Sequence, residues 1–200
     1  PIVQNSPSPT PHQFPYKKPE IIKNDSYRII IVGDSMVASL GPNANRLREH
    51  LIALYPDSEF VTYNYGYAAN NISTLPDRFT KVTTNQGSDL PPILGEEFEL
   101  LIIESFGYNP LSQYSLSEGL NKQNEILENV VRLFLAKKPN VYLAFMTPIA
   151  PDPINFAKNT YDLSPETRKK WVDERVAYIT NHKTFALDRG IPIVDIFEHS

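Results

Sequence analysis

The sequence Arg28-Ile29-Ile30-Ile31-Val32-Gly33-Asp34-Ser35 decides the fold class, because an unbroken apolar run ends abruptly in a polar turn. Such a run is typical of a strand that is buried on both faces of a parallel sheet. Ser35 would then lie at the carboxyl end of a central strand, where open α/β sheets bind ligands. It would also begin a helix, where backbone N–H groups favour negative charge. The plainer explanation of the same serine is a helix N-cap.

Strand-like and helix-like segments alternate along the rest of the chain. This alternation predicts right-handed crossovers and a parallel sheet covered on both faces. We therefore expect an α/β fold: a three-layer α/β/α sandwich with a flavodoxin-like, five-stranded parallel sheet. The predicted strands are 27–33, 59–64, 98–104, 140–146 and 191–196. The predicted helices are 38–55, 70–80 (helix or turn), 116–137 and 165–189, the last with Ser164 as N-cap; long loops are expected at 81–98 and 147–163.

Composition excludes several classes of function. The 200 residues are 41% hydrophobic and 21% charged, as in an ordinary globular domain with a tail, and the net charge is −4. No basic stripe is present, which argues against a nucleic-acid partner. The absence of cysteine excludes disulfides and thiol catalysis. No apolar run has the length of a membrane span, and the glycine-rich nucleotide and His-Glu-x-x-His metal motifs are missing. We expect no cofactor and no metal.

The first twenty residues differ in composition from the remainder. Residues 1–20 hold six prolines among polar residues, which predicts a disordered linker or stalk before a folded domain at 21–200. The alternative is a tail that docks through Phe14 and Tyr16. Because the chain begins with proline, we expect a piece of a longer polypeptide with an upstream anchor or signal segment. That interpretation favours an extracytoplasmic or cell-surface location.

Two further strand ends carry residues suited to stabilising an oxyanion. After the second strand come Asn64-x-Gly66 and Ala69, where small residues let backbone N–H groups approach a ligand. After the third come Gly107-x-Asn109, where the asparagine amide can donate. Each has a plainer explanation, since strand-to-helix turns need glycine and asparagine commonly precedes proline in turns.

Taken together, these blocks resemble the SGNH hydrolases, also known as the GDSL esterase/lipase family. The order Gly-Asp-Ser, loop glycine and Gly-x-Asn agrees with that family over about residues 27–196. The resemblance implies that Ser35 is the nucleophile and that Asn109 donates into the oxyanion hole. It also implies a backbone donor at Ala69, with Gly66 as the alternative position. Asp34 would anchor the loop.

Two departures from the family pattern affect the expected activity. Pro110 stands where the family usually has an aspartate. More important, a serine nucleophile needs an oriented imidazole to take its proton, and no Asp-x-x-His block is present. His199 follows Asp195 by four positions, which leaves this pair as a poor candidate for base and orienter.

The other three histidines are weaker candidates for the base. His12 falls in the tail, and His50 and His182 fall within predicted helices, where surface or packing roles are expected. We therefore expect the Asp-x-x-His block and a final helix beyond residue 200. By itself, this chain should be a poor hydrolase.

Three functions follow from the sequence. The first is a serine esterase that hydrolyses carboxylic esters, such as O-acetyl or other short-acyl esters of a small molecule or carbohydrate, through an acyl-enzyme on Ser35. The second is a non-catalytic, SGNH-like module that binds carbohydrate at a cell surface and lacks the catalytic histidine. The third is a flavodoxin-like domain that binds a phosphate ligand at the Ser35 turn.

Overall fold

The computed structural model describes residues 16–20, 23–85, 87–158 and 160–200. Within these ranges the chain forms strands, α-helices and short 3-10 turns. The strands are β1 Ser26–Gly33, β2 Glu59–Gly66, β3 Thr83–Asn85, β4 Ser88–Leu90, β5 Leu100–Glu104, β6 Tyr142–Thr147 and β7 Ile193–Asp195. The helices are α1 Ser35–Ala38, α2 Asn45–Leu54, α3 Leu75–Thr80, α4 Leu116–Lys137 and α5 Pro165–Asp188. The 3-10 turns are Ile72–Thr74, Ile93–Gly95 and Phe197–His199.

The main sheet confirms the predicted fold class. Its strand order is β2-β1-β5-β6-β7 and every pairing in it is parallel, which is the flavodoxin-like order 2-1-3-4-5 for its strands counted along the chain. The larger apolar core lies between this sheet and α3, α4 and α5. A smaller core lies on the opposite face beneath α1 and α2. The result is a three-layer α/β/α sandwich with β5 at the centre of its sheet and β1 beside it.

The two long helices begin and end as the sequence predicts. The side chain of Ser115 accepts from the backbone N–H of Glu118, whose carboxylate accepts in return from Ser115, so α4 starts with a capping box. The side chain of Ser164 caps α5 by accepting from Thr167 N, and Pro165 fills the first helical position. Local capping chemistry therefore determines both starts.

The predicted single helix over 38–55 is wrong. The chain forms a four-residue helix, α1, and then the separate helix α2. Gly41 between them has φ +79°, a left-handed conformation that glycine adopts readily. Pro42 follows it, and proline disfavours helix both at its own position and at the residue before it. The leucine spacing that suggested one helix thus spans a break.

The segment predicted as a long loop over 81–98 contains a β-hairpin. Strands β3 and β4 pair antiparallel, with Thr83 opposite Leu90 and Asn85 opposite Ser88. Gly87 has φ +80° at the turn. A glycine in the two-residue connection between two short strands is a hairpin signal, and the polar composition of the segment concealed it.

The strand ends differ from prediction by at most two residues. Strand β2 extends to Gly66 because it pairs with β1 along its whole length. The edge strand β7 is shorter than expected, because only three of its residues pair with β6. Boundaries of this kind depend on the pairing partner rather than on the strand's own sequence.

The described part of the predicted tail contacts the domain. Tyr16 donates a hydrogen bond to Leu143 O at 3.0 Å and accepts one from Leu143 N at 3.2 Å. Phe14, His12 and the rest of residues 1–15 lie outside the described residues, so the linker over 1–20 stays a prediction. Among the described helices, none is long and apolar enough to cross a bilayer.

Candidate active site

Ser35 lies at the carboxyl edge of the sheet, as the first residue of α1 directly after β1. Asp34, not Ser35, caps this helix, because its carboxylate accepts from Met36 N at 2.8 Å. The expectation that Ser35 could serve merely as the N-cap is therefore wrong, and its hydroxyl is left for other contacts. The helix has only four residues, so its dipole adds little at this position.

The loop after β5 brings Asn109 to Ser35. The Asn109 side-chain amide donates to Ser35 Oγ with an Nδ2–Oγ distance of 3.1 Å. The backbone N–H of Asn109 donates to Asp34 Oδ2, also at 3.1 Å. Asp34 is fully buried and thus ties the serine turn to the asparagine loop. Burial raises the pKa of Asp34, and the N–H donors from Met36 and Asn109 act in the opposite direction.

The loop after β2 contains both candidate backbone donors. Gly66 N donates to Asn64 Oδ1 at 2.7 Å, so this N–H is already used within the loop. A Cβ on Gly66 would lie 2.2 Å from Ala38 N, which shows how closely the backbones of β2 and α1 approach. Ala69 is exposed and has φ +57°. Its N–H donates to no acceptor within the described residues, which leaves it available to a ligand.

A buried acid, Glu104, stands beneath these turns at the end of β5. Its carboxylate accepts from Ser105 Oγ at 2.6 Å, from Phe106 N at 3.0 Å and from Asp34 N at 3.4 Å. Burial, and secondarily the charge of Asp34, raises the pKa of Glu104 to about 8. The side chain also packs on Gly33, where an added Cβ would lie 2.9 Å from Glu104 Oε2.

Arg78 is a second buried charged residue that our sequence reasoning missed. It lies on α3 and has no exposed surface. Its Nη1 donates to Gly33 O at 2.6 Å and to Tyr65 O at 2.8 Å. The sequence does hold a signal for it: Leu75, Arg78 and Phe79 have the i, i+3, i+4 spacing of one helix face, and all three are buried.

The three described histidines lie away from Ser35 Oγ, and none of them hydrogen-bonds to it in the part of the chain that the structure describes. His50 is exposed on α2, where its Nδ1 contacts Arg46 O. His182 is fully buried, stacks on Phe145 with ring centroids 4.3 Å apart, and contacts Ile103 O through Nε2. Burial lowers the pKa of His182 to about 3.

Asp195 and His199 are not hydrogen-bonded to each other within the described ranges. The Asp195 carboxylate is 2.5 Å from Lys183 Nζ and accepts from Thr147 Oγ1 at 2.9 Å. Burial acts to raise the pKa of Asp195, but the bonds from Lys183 and Thr147 outweigh it and keep the pKa below its ordinary value. His199 is exposed in the last 3-10 turn. The Asp195 carboxylate therefore binds Lys183 and Thr147 at the end of β7.

The surroundings of Ser35 are partly aromatic. Tyr108, next to Asn109, donates to Ile149 O at 3.2 Å and its ring lies 5.8 Å from that of Phe156. Two cavities of about 620 and 560 Å³ lie at the opposite edge of the sheet, where both are lined by Tyr27 and Tyr142. Ser35 itself is half-buried.

Comparison with known proteins finds similarity in structure but not in sequence. No family model matches the chain, and no curated protein matches it by sequence. Solved structures do match. The acetyl xylan esterase AlAXEase superposes with a TM-score of 0.59 at 14% identity, covering 86% of this chain and 78% of its own. The lipase/acylhydrolase from Enterococcus faecalis superposes with a TM-score of 0.58 at 18% identity, covering 86% and 77%.

The chain has the fold of SGNH-like hydrolases. A further match is the acetylxylan esterase Axe2 from Geobacillus stearothermophilus, with a TM-score of 0.54 at 17% identity, covering 86% of this chain and 77% of its own. At these identities the likeness concerns the fold, which hosts its chemistry in residues at the strand ends. The roles of those residues in this chain are argued below from their own geometry.

Proposed function

We propose that this protein is a serine esterase of SGNH type, with Ser35 as the nucleophile. Ser35 Oγ attacks the carbonyl carbon of an ester, the alcohol leaves, and water then hydrolyses the acyl-enzyme. The negative charge on the carbonyl oxygen is stabilised by the Asn109 amide and by the N–H groups of Ser35 and Ala69. The contact that carries this proposal is the 3.1 Å hydrogen bond from Asn109 to Ser35 Oγ at the carboxyl edge of the sheet.

The general base is proposed to be a histidine outside the described residues. His50 and His182 face other groups, and His199 is exposed beyond β7. An Asp-x-x-His block later in the natural protein is our first choice for the base. His199 is the second, since it follows Asp195 by four positions, and His12 is the third.

The proposed substrate is an ester of a short acyl group, with O-acetyl groups on carbohydrate as the first candidate. Two observations support this choice. Ser35 is half-buried and Ala69 is exposed, which suits a bulky alcohol such as a sugar chain. The structures named acetyl xylan esterases share the fold. The partly aromatic surroundings at Tyr108 and Phe156 offer apolar faces against which a sugar ring can pack.

The test is hydrolysis of p-nitrophenyl acetate and of acetylated xylan by the natural protein and its Ser35→Ala variant. We expect S35A to lose at least about 10³-fold in kcat. Ser39→Ala is the matched control. This serine is exposed just after α1, and its hydroxyl donates to Met36 O. Equal turnover by S35A and wild type would overturn the proposal. The same assay locates the base when it is applied to His12→Ala, His199→Ala and the isolated 1–200 chain. Loss of turnover in one of these samples shows which part of the protein supplies the base.

A second candidate function is a carbohydrate-binding module without catalysis. It is favoured by one observation: no imidazole hydrogen-bonds to Ser35 Oγ within the described residues. In that case the natural protein binds to acetylated glycans on an array but does not deacetylate them. The S35A variant then binds these glycans as strongly as the wild type does. Release of acetate that depends on Ser35 excludes this candidate.

A further inference from the structure

Arg78 contacts all three turns that carry the candidate active site. Its Nη1 donates to Gly33 O, one residue before Asp34 and two before Ser35, and to Tyr65 O in the strand that leads to Ala69. Its guanidinium carbon lies 4.0 Å from the ring centroid of Tyr67 and 5.2 Å from that of Phe106, which begins the loop to Asn109. One buried side chain thus links the ends of β1, β2 and β5.

The surroundings of Arg78 explain why a cation is stable there. Removing a guanidinium from water is costly unless its N–H groups find acceptors and its positive charge is balanced. Besides the two carbonyls, Nη2 donates to Thr74 Oγ1 at 2.8 Å. Burial lowers the pKa of Arg78 to about 10, and the nearby Asp34 carboxylate opposes this shift although it forms no ion pair with Arg78 in the described structure. The guanidinium also lies over the face of Tyr67, a favourable cation–π arrangement.

The two carbonyls that Arg78 binds lie at the carboxyl ends of neighbouring strands. Gly33 is the last residue of β1, and Tyr65 is the last but one of β2. Gly33 O is also an acceptor for Tyr67 N at 3.2 Å, so this carbonyl already joins the first turn to the second. Arg78 donates to Gly33 O and also to Tyr65 O, so its planar, rigid guanidinium bridges the ends of β1 and β2.

We propose that Arg78 is a positioning residue that sets the spacing between the Ser35 turn and the loops carrying Ala69 and Asn109. This inference rests on the proposed esterase function, and it adds a residue that touches none of the reacting atoms. Its effect belongs to the transition state, since misplacing a nucleophile relative to its oxyanion donors by about 1 Å can cost about 10²-fold in rate. Substrate binding in the ground state should change little.

The first arm of the test is kinetic and uses the natural protein. We expect Arg78→Met to lower kcat for p-nitrophenyl acetate by about 10²-fold with KM changed by less than about twofold. Arg78→Lys keeps a charge and should recover about tenfold of that loss, because an ammonium reaches the carbonyls without the planar stack. Arg48→Met is the matched control, since Arg48 Nε donates to Phe60 O at the other end of β2.

The second arm is hydrogen exchange, which does not depend on activity. In R78M, and to a lesser extent in R78K, amides of residues 33–38, 65–71 and 104–110 should exchange at least about fivefold faster, while α4 keeps its protection. R48M should leave the three turns unchanged. If R78M fails to fold, R78K decides the question in both arms.

The outcomes separate the two proposals. If wild type and S35A show the same turnover, the proposed esterase function is wrong. Hydrogen exchange alone then tests whether Arg78 positions the three turns. If S35A is inactive but R78K and R78M keep wild-type kcat, the positioning role is wrong. Exchange that rises uniformly, α4 included, shows a contribution to global stability only and also overturns the proposal.

Discussion

The side-chain amide of Asn109 donates to Ser35 Oγ across 3.1 Å, although 74 residues of sequence separate the two. The same asparagine donates its backbone N–H to Asp34, the residue before the serine. Two bonds therefore fix one loop against the other. The pair places a hydroxyl beside an amide donor at the carboxyl edge of the sheet, and this contact carries the proposed acyl transfer.

Asn109→Ala should lower kcat by about 10²–10³-fold with little change in KM, because we propose that Asn109 donates into the oxyanion hole and such a donor acts mainly in the transition state. Steady-state hydrolysis of p-nitrophenyl acetate measures this. Asn124→Ala is the control, since Asn124 pairs with Asn181 between α4 and α5. A wild-type kcat for N109A would contradict the assigned role.

Gly66→Ala should destabilise the protein by about 1–3 kcal/mol, as overpacking of a tight site does. The added methyl would meet backbone atoms, Ala38 N at 2.2 Å and the carbonyl carbon of Val37 at 2.6 Å, which cannot swing aside as a side chain does. Urea unfolding gives the free energy. Gly95→Ala, whose nearest neighbour would be Pro92 Cγ at 3.5 Å, should cost much less; equal losses in both variants would speak against this packing argument.

Glu104→Gln should flatten the pH dependence of stability between pH 4.5 and about 8. Burial and the Asp34 charge raise the pKa of Glu104 from 4.5 to about 8, so in this window the folded chain holds a proton that the unfolded chain releases. The free energy of unfolding therefore falls as pH rises, with a slope of up to about 1.4 kcal/mol per pH unit from this group. Urea titrations at several pH values measure the slope.

The control for Glu104 is Glu49→Gln, a change at an exposed position on α2. It should leave the wild-type slope in place. If E104Q and wild type show the same pH dependence over this window, the carboxyl of Glu104 is not the group responsible.

His182→Phe should change the acid limb of the same profile with the opposite sign. Burial lowers the pKa of His182 from 6.5 to about 3, so between these values the unfolded chain binds a proton that the folded chain does not. Wild-type stability is therefore lost as pH falls below 6.5. Phenylalanine keeps the stacking on Phe145 but loses the hydrogen bond to Ile103 O, at a cost of about 1 kcal/mol at pH 7.

Urea unfolding from pH 7 to pH 4 tests this prediction. Relative to wild type, H182F should become progressively more stable as the pH falls. His50→Gln, at an exposed histidine on α2, is the control. Parallel curves for wild type and H182F would show that acid unfolding is governed by other groups.

Local patterns predicted the long elements well. The serine caps and the proline and glycine positions that begin and end α4 and α5 act within one helical turn, so the sequence alone locates them. The break at Gly41-Pro42 and the hairpin at Gly87 were also local signals, yet leucine spacing and polar composition pointed the other way. The short edge strand β7 was predicted too long, because its extent depends on what β6 leaves unpaired.

The site was only partly foreseeable. Strand-end placement indicated that Ser35 and Asn109 converge, since parallel strands end at one edge, and their hydrogen bond agrees with this. Arg78 and Glu104 were not recognised, because charged side chains are mostly exposed. The helix-face spacing of Arg78 is a local signal, but the partners that stabilise both buried groups come from distant segments.

The sequence by itself determined the α/β/α architecture, the strand that leads to Ser35 and the caps of the long helices, because periodicity and capping act over a few neighbouring residues. Only the tertiary structure decided that Asp34 rather than Ser35 caps α1, that Gly66 N is already engaged, and that a buried arginine joins three strand ends. These are contacts between segments far apart in sequence, and their geometry exists only once the sheet has assembled and excluded water from the groups beneath its edge.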